Sequence, residues 1–215
     1  MNIEEKPMPD KPTRVKSKRR LVKKIDKVED WVENKYGFRP DLSDDITGLI
    51  RNCFSDVNDP MTFEEAEFWP KRDTADAFEP SQWPEIMTTI NGTKPPGEVT
   101  RYTGGVEYLL NVKYKGMRYV IETGNRASVT RSGVHMHDSG GVTWILDGGD
   151  MTIFVQGFTP TVFQEEDRFY MPASVPMSAV NVSGIDSVQM NIFVVPLGED
   201  LATVLDPSFA VGKSQ

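Results

Sequence analysis

RSGVHMHDSGGVTWILDGG, running from Arg131 to Gly149, is the stretch on which the reading of this chain turns. It holds both histidines of the protein, His135 and His137, two residues apart. On a β-strand that spacing sets two imidazoles on one face, roughly 6.5–7 Å apart at the backbone, close enough to share one metal ion. A Gly-Gly pair follows, and Val142 to Leu146 then supply a run of β-formers that carries the chain into another strand. The stretch points to a β fold with a metal pocket.

The same strand character extends on both sides. VEYLLNVKY (106–114), MRYVIET (117–123), SVTRSGVHMH (128–137), VTWIL (142–146), MTIFVQ (151–156), TVFQ (161–164), RFYMP (168–172), SAVNV (178–182) and SVQMNIFVVP (187–196) read as short strands. Gly-Asp, Gly-Gly and Pro turns separate them closely, the pattern of an antiparallel sandwich or barrel.

Upstream the pattern is helical. Leu21, Val22, Ile25, Val28, Val32 and Tyr36 form one stripe from about Val15 to Tyr36, stopped by Gly37 and Pro40. Asp41 or Ser43 then caps a second helix through Phe54 that buries Ile46, Leu49, Ile50, Cys53 and Phe54. Thr62 with Glu65 makes a capping box for a third, short helix ended by Pro70. Residues 71–97 are rich in breakers, with Trp83, Ile86 and Met87 expected to pack a turn of helix onto the body. Two consecutive helices suggest a helix-turn-helix, but Asp44 and Asp45 stand at the end that would face DNA, which excludes it. The expected organisation is a disordered basic tail (1–13), a helical extension and linker packing on the barrel (14–97), the β-barrel (98–207) and a C-terminal tail (208–215).

A chain of 215 residues with 38% apolar and 10% aromatic content suits one buried domain with appended segments. No apolar run approaches the roughly 18 residues of a membrane helix, and Met1 to Asp10 is too charged and proline-broken for a signal peptide. The single Cys53 rules out an intrachain disulfide and a cysteine zinc cluster, so a cytoplasmic setting is expected. The net charge of −8 is divided: residues 1–24 hold nine Lys/Arg against three acids, a net of +6, leaving −14 for the rest. A basic head of this kind suits contact with nucleic acid, an acidic membrane surface or the protein's own acidic body, or else a solvated tail with no partner. No aromatic interleaves it, so nucleic acid is not expected as a partner.

From about Val99 to Pro207 the chain resembles the cupin family of double-stranded β-helix (jelly-roll) barrels. The first cupin motif runs Gly, His-x-His, Glu, Gly; here His135-Met136-His137 and Gly149 match, Val129 replaces the first Gly, and neither Gly141 nor Val142 supplies the Glu. The second motif runs Gly-Asp, Pro-x-Gly, His, Asn. Here Glu166-Asp167, Pro172-Ala173-Ser174, Met177 and Asn181 stand in register, with Met177 where the third metal-binding His belongs. The resemblance implies a mainly β, cupin-type barrel behind an α-helical N-terminal extension. It also implies a small-molecule ligand, a homodimer, and a divalent metal ion (Fe, Mn, Zn or Ni) at His135 and His137.

Two imidazoles need further ligands. Asp138, turned inward by a bend at Gly140-Gly141, is the expected third; Glu122 and Gln189 are the alternatives. Met177 is either a packing residue or a soft thioether suited to copper(I). Gln189 and Asn191 alternate with Val188, Met190 and Ile192, so these amides line the pocket if the apolar set faces the helices. Arg131 lies at even spacing before the histidines and is expected to grip a carboxylate. Trp144 and Tyr170 wall the cavity or fill the core. The expected function is that of a small-molecule cupin whose chemistry, if it is an enzyme, is metal-dependent oxygenation, isomerisation or lyase cleavage. The competing reading is a non-catalytic binding, sensing or dimerising module whose basic head contacts an acidic partner. Nucleophile-elbow, phosphate-loop, Rossmann and His-Glu-x-x-His patterns are all missing from the sequence.

Overall fold

The computed structural model describes residues 11–54 and 83–209. Helix α1 spans Lys18–Tyr36 behind an N-cap, Ser17, whose side chain accepts from the Arg20 amide. It stops at Gly37, which takes the left-handed φ of 89° and returns its amide to the Glu33 carbonyl. Leu21, Ile25, Val28 and Val32 are buried, whereas Val22 falls off the stripe and is exposed. Glu29 is also buried: its carboxylate accepts from the Leu42 amide and from Arg39, tying α1 to the start of α2 (Leu42–Phe54). Of the two expected caps for α2, Asp41 takes the role, accepting from the Asp44 amide at 2.9 Å. Cys53 and Phe54 as core residues, and the helix expected from Thr62, lie outside what is described.

Among the described residues thirteen strands are present. Six form a first sheet in the order β1-β3-β4-β12-β7-β10, comprising Thr13–Arg14, Thr103–Tyr114, Met117–Arg126, Ser187–Pro196, Gly141–Gly148 and Arg168–Met171. The second sheet centres on β11 (Met177–Asn181). On one side β11 pairs with β5 (Thr130–Arg131) and β6 (His135–Met136), two pieces of one broken strand; on the other it pairs with β8 (Met151–Val155), which pairs in turn with β9 (Thr161–Phe163). β2 (Glu98–Val99) and β13 (Thr203–Val204) complete it. The two orders, β4-β12-β7-β10 and β5/β6-β11-β8-β9, are those of a jelly roll made of two facing antiparallel sheets.

Strand alternation divides the first sheet into two environments. Tyr119 and Ile121 of β4, Val142 of β7, Tyr170 of β10 and Met190, Ile192 and Val194 of β12 face outward and pack against Leu21, Ile25, Val28, Val32, Leu42, Ile46 and Leu49 of the helices. Val120, Ile145, Phe169, Met171, Phe193 and Val195 face inward and meet Met151, Ile153, Val155, Met177 and Ala179 of the second sheet. Asp45 of α2 fastens the helical layer to the sheet, accepting from the Trp144 indole at 2.8 Å and from Arg168 at 2.6 Å.

Three expectations shift at the edges. The tail boundary at residue 13 is overstepped by β1, since Thr13 and Arg14 pair in parallel with Val112 and Lys113 of β3. No helix forms around Trp83, Ile86 and Met87; the Trp83 indole donates to the Ser174 carbonyl, the Met87 amide to the Leu205 carbonyl, and Ile86 is exposed. The strand expected over 128–137 is broken between β5 and β6, where Gly133 approaches Asp206 and Phe209 of the C-terminal segment. That segment passes through the short 3-10 turn Pro207–Phe209.

Candidate functional site

A cavity of about 150 Å³ lies between the two sheets. One wall is the inward face of the first sheet, carrying Glu122 and Arg126 of β4, Thr143 of β7 and Gln189 and Asn191 of β12. The opposite wall carries His135 and His137, with Met177 and Ala179 of β11. Tyr102 and Phe209 close it from the flanking segments.

The histidines are neutral and share one tautomer. His135 Nδ1 lies 2.8 Å from the Gly133 carbonyl and His137 Nδ1 2.6 Å from the Leu201 carbonyl. A carbonyl oxygen only accepts, so each Nδ1 carries the proton and each Nε2 keeps a lone pair. Burial lowers the His135 pKa to about 4, and burial together with its neighbour lowers that of His137 to about 3. The rings meet edge to face with centroids 4.9 Å apart. Phe193 stacks on His137, and Phe209 lies over His135. Gly133 permits this approach, since a Cβ there would stand 2.0 Å from Phe209 Cβ.

Facing them is a polar relay. Thr143 Oγ1 donates to Asn191 Oδ1 at 2.8 Å, Asn191 Nδ2 donates to the Tyr102 hydroxyl at 3.1 Å, and that hydroxyl donates to Gln189 Oε1 at 2.9 Å. Tyr102 enters the barrel over Gly124, where a Cβ would come within 2.4 Å of its ring. The guanidinium of Arg126 stacks on Tyr102 at 4.6 Å and donates to the Thr100 carbonyl. Two buried donors at this wall have no partner, Arg126 Nε and Gln189 Nε2. The Glu122 carboxyl is raised to about 7, chiefly by burial, against the opposing pull of Asn191 and Arg118.

The site residues expected from sequence separate into two groups. His135, His137, Gln189 and Asn191 come together in the cavity, and Met177 and Glu122 join them. Arg131, Asp138, Trp144 and Tyr170 do not line it. Arg131 is buried beside the cavity with its guanidinium on Asp206, 3.5 Å away, so it pins the C-terminal segment that carries Phe209. Asp138 stays exposed, near Thr203, because the bend at Gly140-Gly141 does not turn it inward. Trp144 and Tyr170 have the opposite strand parity to Thr143 and Phe169 and so belong to the helix-facing layer. Among the described residues no group of three His, Cys, Asp or Glu is gathered for a metal. Tyr102, Arg126 and Phe209 are among the cavity residues that escaped the sequence reading. Arg126 was within reach, since it shares the parity of Glu122 four residues earlier on β4; the other two arrive by loop packing that no local pattern announces.

Three motif positions keep a common backbone geometry. At three points where the cupin pattern places glycine this chain has Val129, Glu166 and Ser174, and all three keep a left-handed backbone, with φ of 58°, 67° and 58°. Asn181 of the second motif is fully buried and holds the turn after β11, donating to the Arg126 and Ile185 carbonyls. Together with the jelly-roll strand order, the motif geometry survives where the motif letters do not.

The barrel has the strand order of a jelly roll. Solved structures similar to parts of the chain include a cupin 2 conserved barrel domain protein from Salinispora arenicola, 15% identical over 43% of this chain and 76% of that one, with a TM-score of 0.36. A double-stranded β-helix domain protein from Klebsiella pneumoniae is 14% identical over 61% of this chain and 97% of that one, with a TM-score of 0.37. A cupin domain from Bordetella pertussis is 15% identical over 48% of this chain and 98% of that one, with a TM-score of 0.32. No protein-family model and no curated protein matches the chain. In this barrel His135 and His137 stand in the cavity, and Met177 pairs with His135 across neighbouring strands.

Proposed function

We propose that the cupin barrel binds a small molecule in this cavity, at a metal ion held by His135 and His137. The observation that supports the reading is the pair of Nδ1–H···O=C hydrogen bonds, which leaves two buried, neutral imidazoles with Nε2 lone pairs on the same cavity. The donor set suits a metal in part. Two imidazoles are good ligands for Fe, Mn, Zn, Ni or Cu, but the third neighbour, Met177, is a soft thioether, and among the described residues no carboxylate completes a group of three. Remaining positions would fall to water or to the ligand. A bound ion supplies Lewis-acid polarisation of a ligand oxygen. The chain's own groups position the ligand through the Tyr102–Asn191–Gln189 relay and exclude water with Phe193 and Phe209. Glu122, with a pKa raised to about 7 by burial, is suited to holding or taking a proton at its carboxylate. Metal analysis of protein purified without chelator tests the reading: stoichiometric metal in the wild type and none in the His135→Ala/His137→Ala variant is expected. Metal retained by that double variant overturns it.

A second reading, a module whose basic N-terminus contacts an acidic partner, has its own support. Arg14, Lys16, Lys113 and Lys115 gather around an open groove of about 670 Å³ where β1 joins the sheet edge. All four are exposed. Salt-sensitive binding of an acidic polypeptide, lost in the fourfold Ala variant, is the expected result; equal binding by the variant removes this surface from consideration.

A further inference from the structure

Resting on the metal reading above, we infer that the ion this site selects is copper(I), with Met177 as the third ligand beside His135 and His137. Met177 and His135 are direct partners across the β6–β11 pair, so their side chains leave the sheet on the same face. Partners of this kind hold their Cβ atoms roughly 4.5–5.5 Å apart, close enough for both side chains to reach one ion. His137 closes the triangle, its ring centroid 4.9 Å from that of His135. An ion about 2.0–2.1 Å from a ring nitrogen stands roughly 3.2 Å from the ring centre, so two imidazoles at this separation can share it. Each Nδ1 is held by a carbonyl. Among the described residues neither Nε2 is a sealed atom without a partner, and both rings line the cavity, which leaves these nitrogens open to it. Met177 is unbranched, so rotation about its side-chain bonds swings the sulfur towards the rings without moving the backbone.

Charge and softness then choose the metal. A thioether is a soft donor that favours copper(I) and serves Fe(II), Mn(II) and Zn(II) poorly. All three ligands are neutral. Among the described residues Glu122 is the one acid lining the cavity; it stands on the opposite wall and is not gathered with the two histidines. Arg126 adds a positive charge to that wall, and its contacts are a neutral carbonyl and the face of Tyr102. The cost of taking an ion out of water grows with the square of its charge, about fourfold more for a dication than for a monocation. A buried set of neutral donors beside a cation therefore tolerates copper(I) far better than any dication. Hard dications also need several oxygen ligands, whereas the imidazole side of this cavity is closed by Phe193 on His137 and Phe209 over His135.

The experiment uses full-length protein stripped with chelator and kept anaerobic with a reductant. Its single thiol, Cys53, is alkylated first, because a thiolate takes copper(I) by itself. Copper(I) is titrated in competition with bicinchoninate and read from the colour of the bicinchoninate complex; Fe(II), Mn(II) and Zn(II) are titrated by calorimetry. One equivalent of copper(I) should bind, at least about 100-fold more tightly than any of the three dications. Met177→Leu conserves volume and removes the sulfur. It should weaken copper(I) binding at least about tenfold and change Zn(II) binding less than about threefold, a split that a packing role does not produce. X-ray absorption at the copper edge of the wild type should show a sulfur at about 2.3 Å beside two nitrogens, and needs no variant to fold. A dication bound more tightly than copper(I), a copper spectrum without sulfur, or undiminished copper(I) binding by folded Met177→Leu overturns the inference and leaves the metal reading standing. Copper(I) retained by His135→Ala/His137→Ala, or a wild type that takes up none of the four ions, overturns both.

Discussion

Met177 lies directly across from His135 on neighbouring antiparallel strands, and both side chains line the same cavity. A thioether at the place of a third imidazole makes the site poor for hard ions. Met177→His should therefore strengthen Fe(II), Mn(II) or Zn(II) binding at least about tenfold, as a third nitrogen completes a chelate. Calorimetric titration checks it. Unchanged affinity in a folded variant would mean that position 177 does not approach the ion.

The buried titratable groups predict an acid-sensitive fold in chelator-treated protein. His135 and His137 ionise near pH 6.5 when unfolded but hold pKa values of about 4 and about 3 when folded. Their contribution is thus complete above pH 6.5 and is lost as pH falls towards 4. Glu122 acts oppositely, raised from 4.5 to about 7, so its contribution is present below 4.5 and lost as pH rises to 7. Two groups outweigh one, and melting temperature should fall on acidification from pH 7 to 4. Glu122→Gln should steepen that fall, and His135→Gln should flatten it. A flat wild-type profile would contradict the burial assigned to the pair.

Arg131 and Asp206 form a buried pair whose loss should be felt in two places. Asp206 also accepts from the Ser208 amide and hydroxyl, so it organises the turn that lays Phe209 over His135. Asp206→Ala leaves the Arg131 charge stranded and should cost on the order of 3–5 kcal/mol by denaturant unfolding. Phe209→Ala should cost less and widen access to the cavity, read as faster quenching of cavity-bound probes. Equal stability of wild type and Asp206→Ala would sink this account.

Much of this fold was legible because strand alternation is a local property. The parity argument on Gln189, Asn191, Met190 and Ile192 needed only the sequence and the assumption of a helix-covered face, and the helices do cover that face. The same parity, applied to Trp144, would have placed it outside the cavity, since it neighbours the inward Thr143. Arg131 misled for a different reason. Even spacing to the histidines holds only along an unbroken strand, and the strand breaks between β5 and β6, where Gly133 approaches the C-terminal segment. Tyr102 and Phe209 reach the site through contacts distant in sequence, with Gly124 and Gly133 as their only local trace.

Val129 offers a test of the backbone itself. It is 59% exposed, makes no core contact to lose, and holds a φ of 58°. A β-branched residue in the left-handed region is strained by roughly 1–2 kcal/mol. Glycine there removes the clash but costs roughly 0.5–1 kcal/mol in unfolded-state entropy. The balance favours the substitution: Val129→Gly should raise stability by about 0.5–1 kcal/mol, or roughly 2–4 °C in melting temperature at the upper end. Its backbone carbonyl would still accept from the Glu98 amide, so β2 stays attached. Val162 supplies the control, since it is 54% exposed, lies within strand β9 and has no positive φ. Val162→Gly should lower stability by up to about 1 kcal/mol through lost strand propensity. Opposite signs at two exposed valines isolate the backbone as the cause. If Val129→Gly destabilises as Val162→Gly does, the left-handed turn is not there.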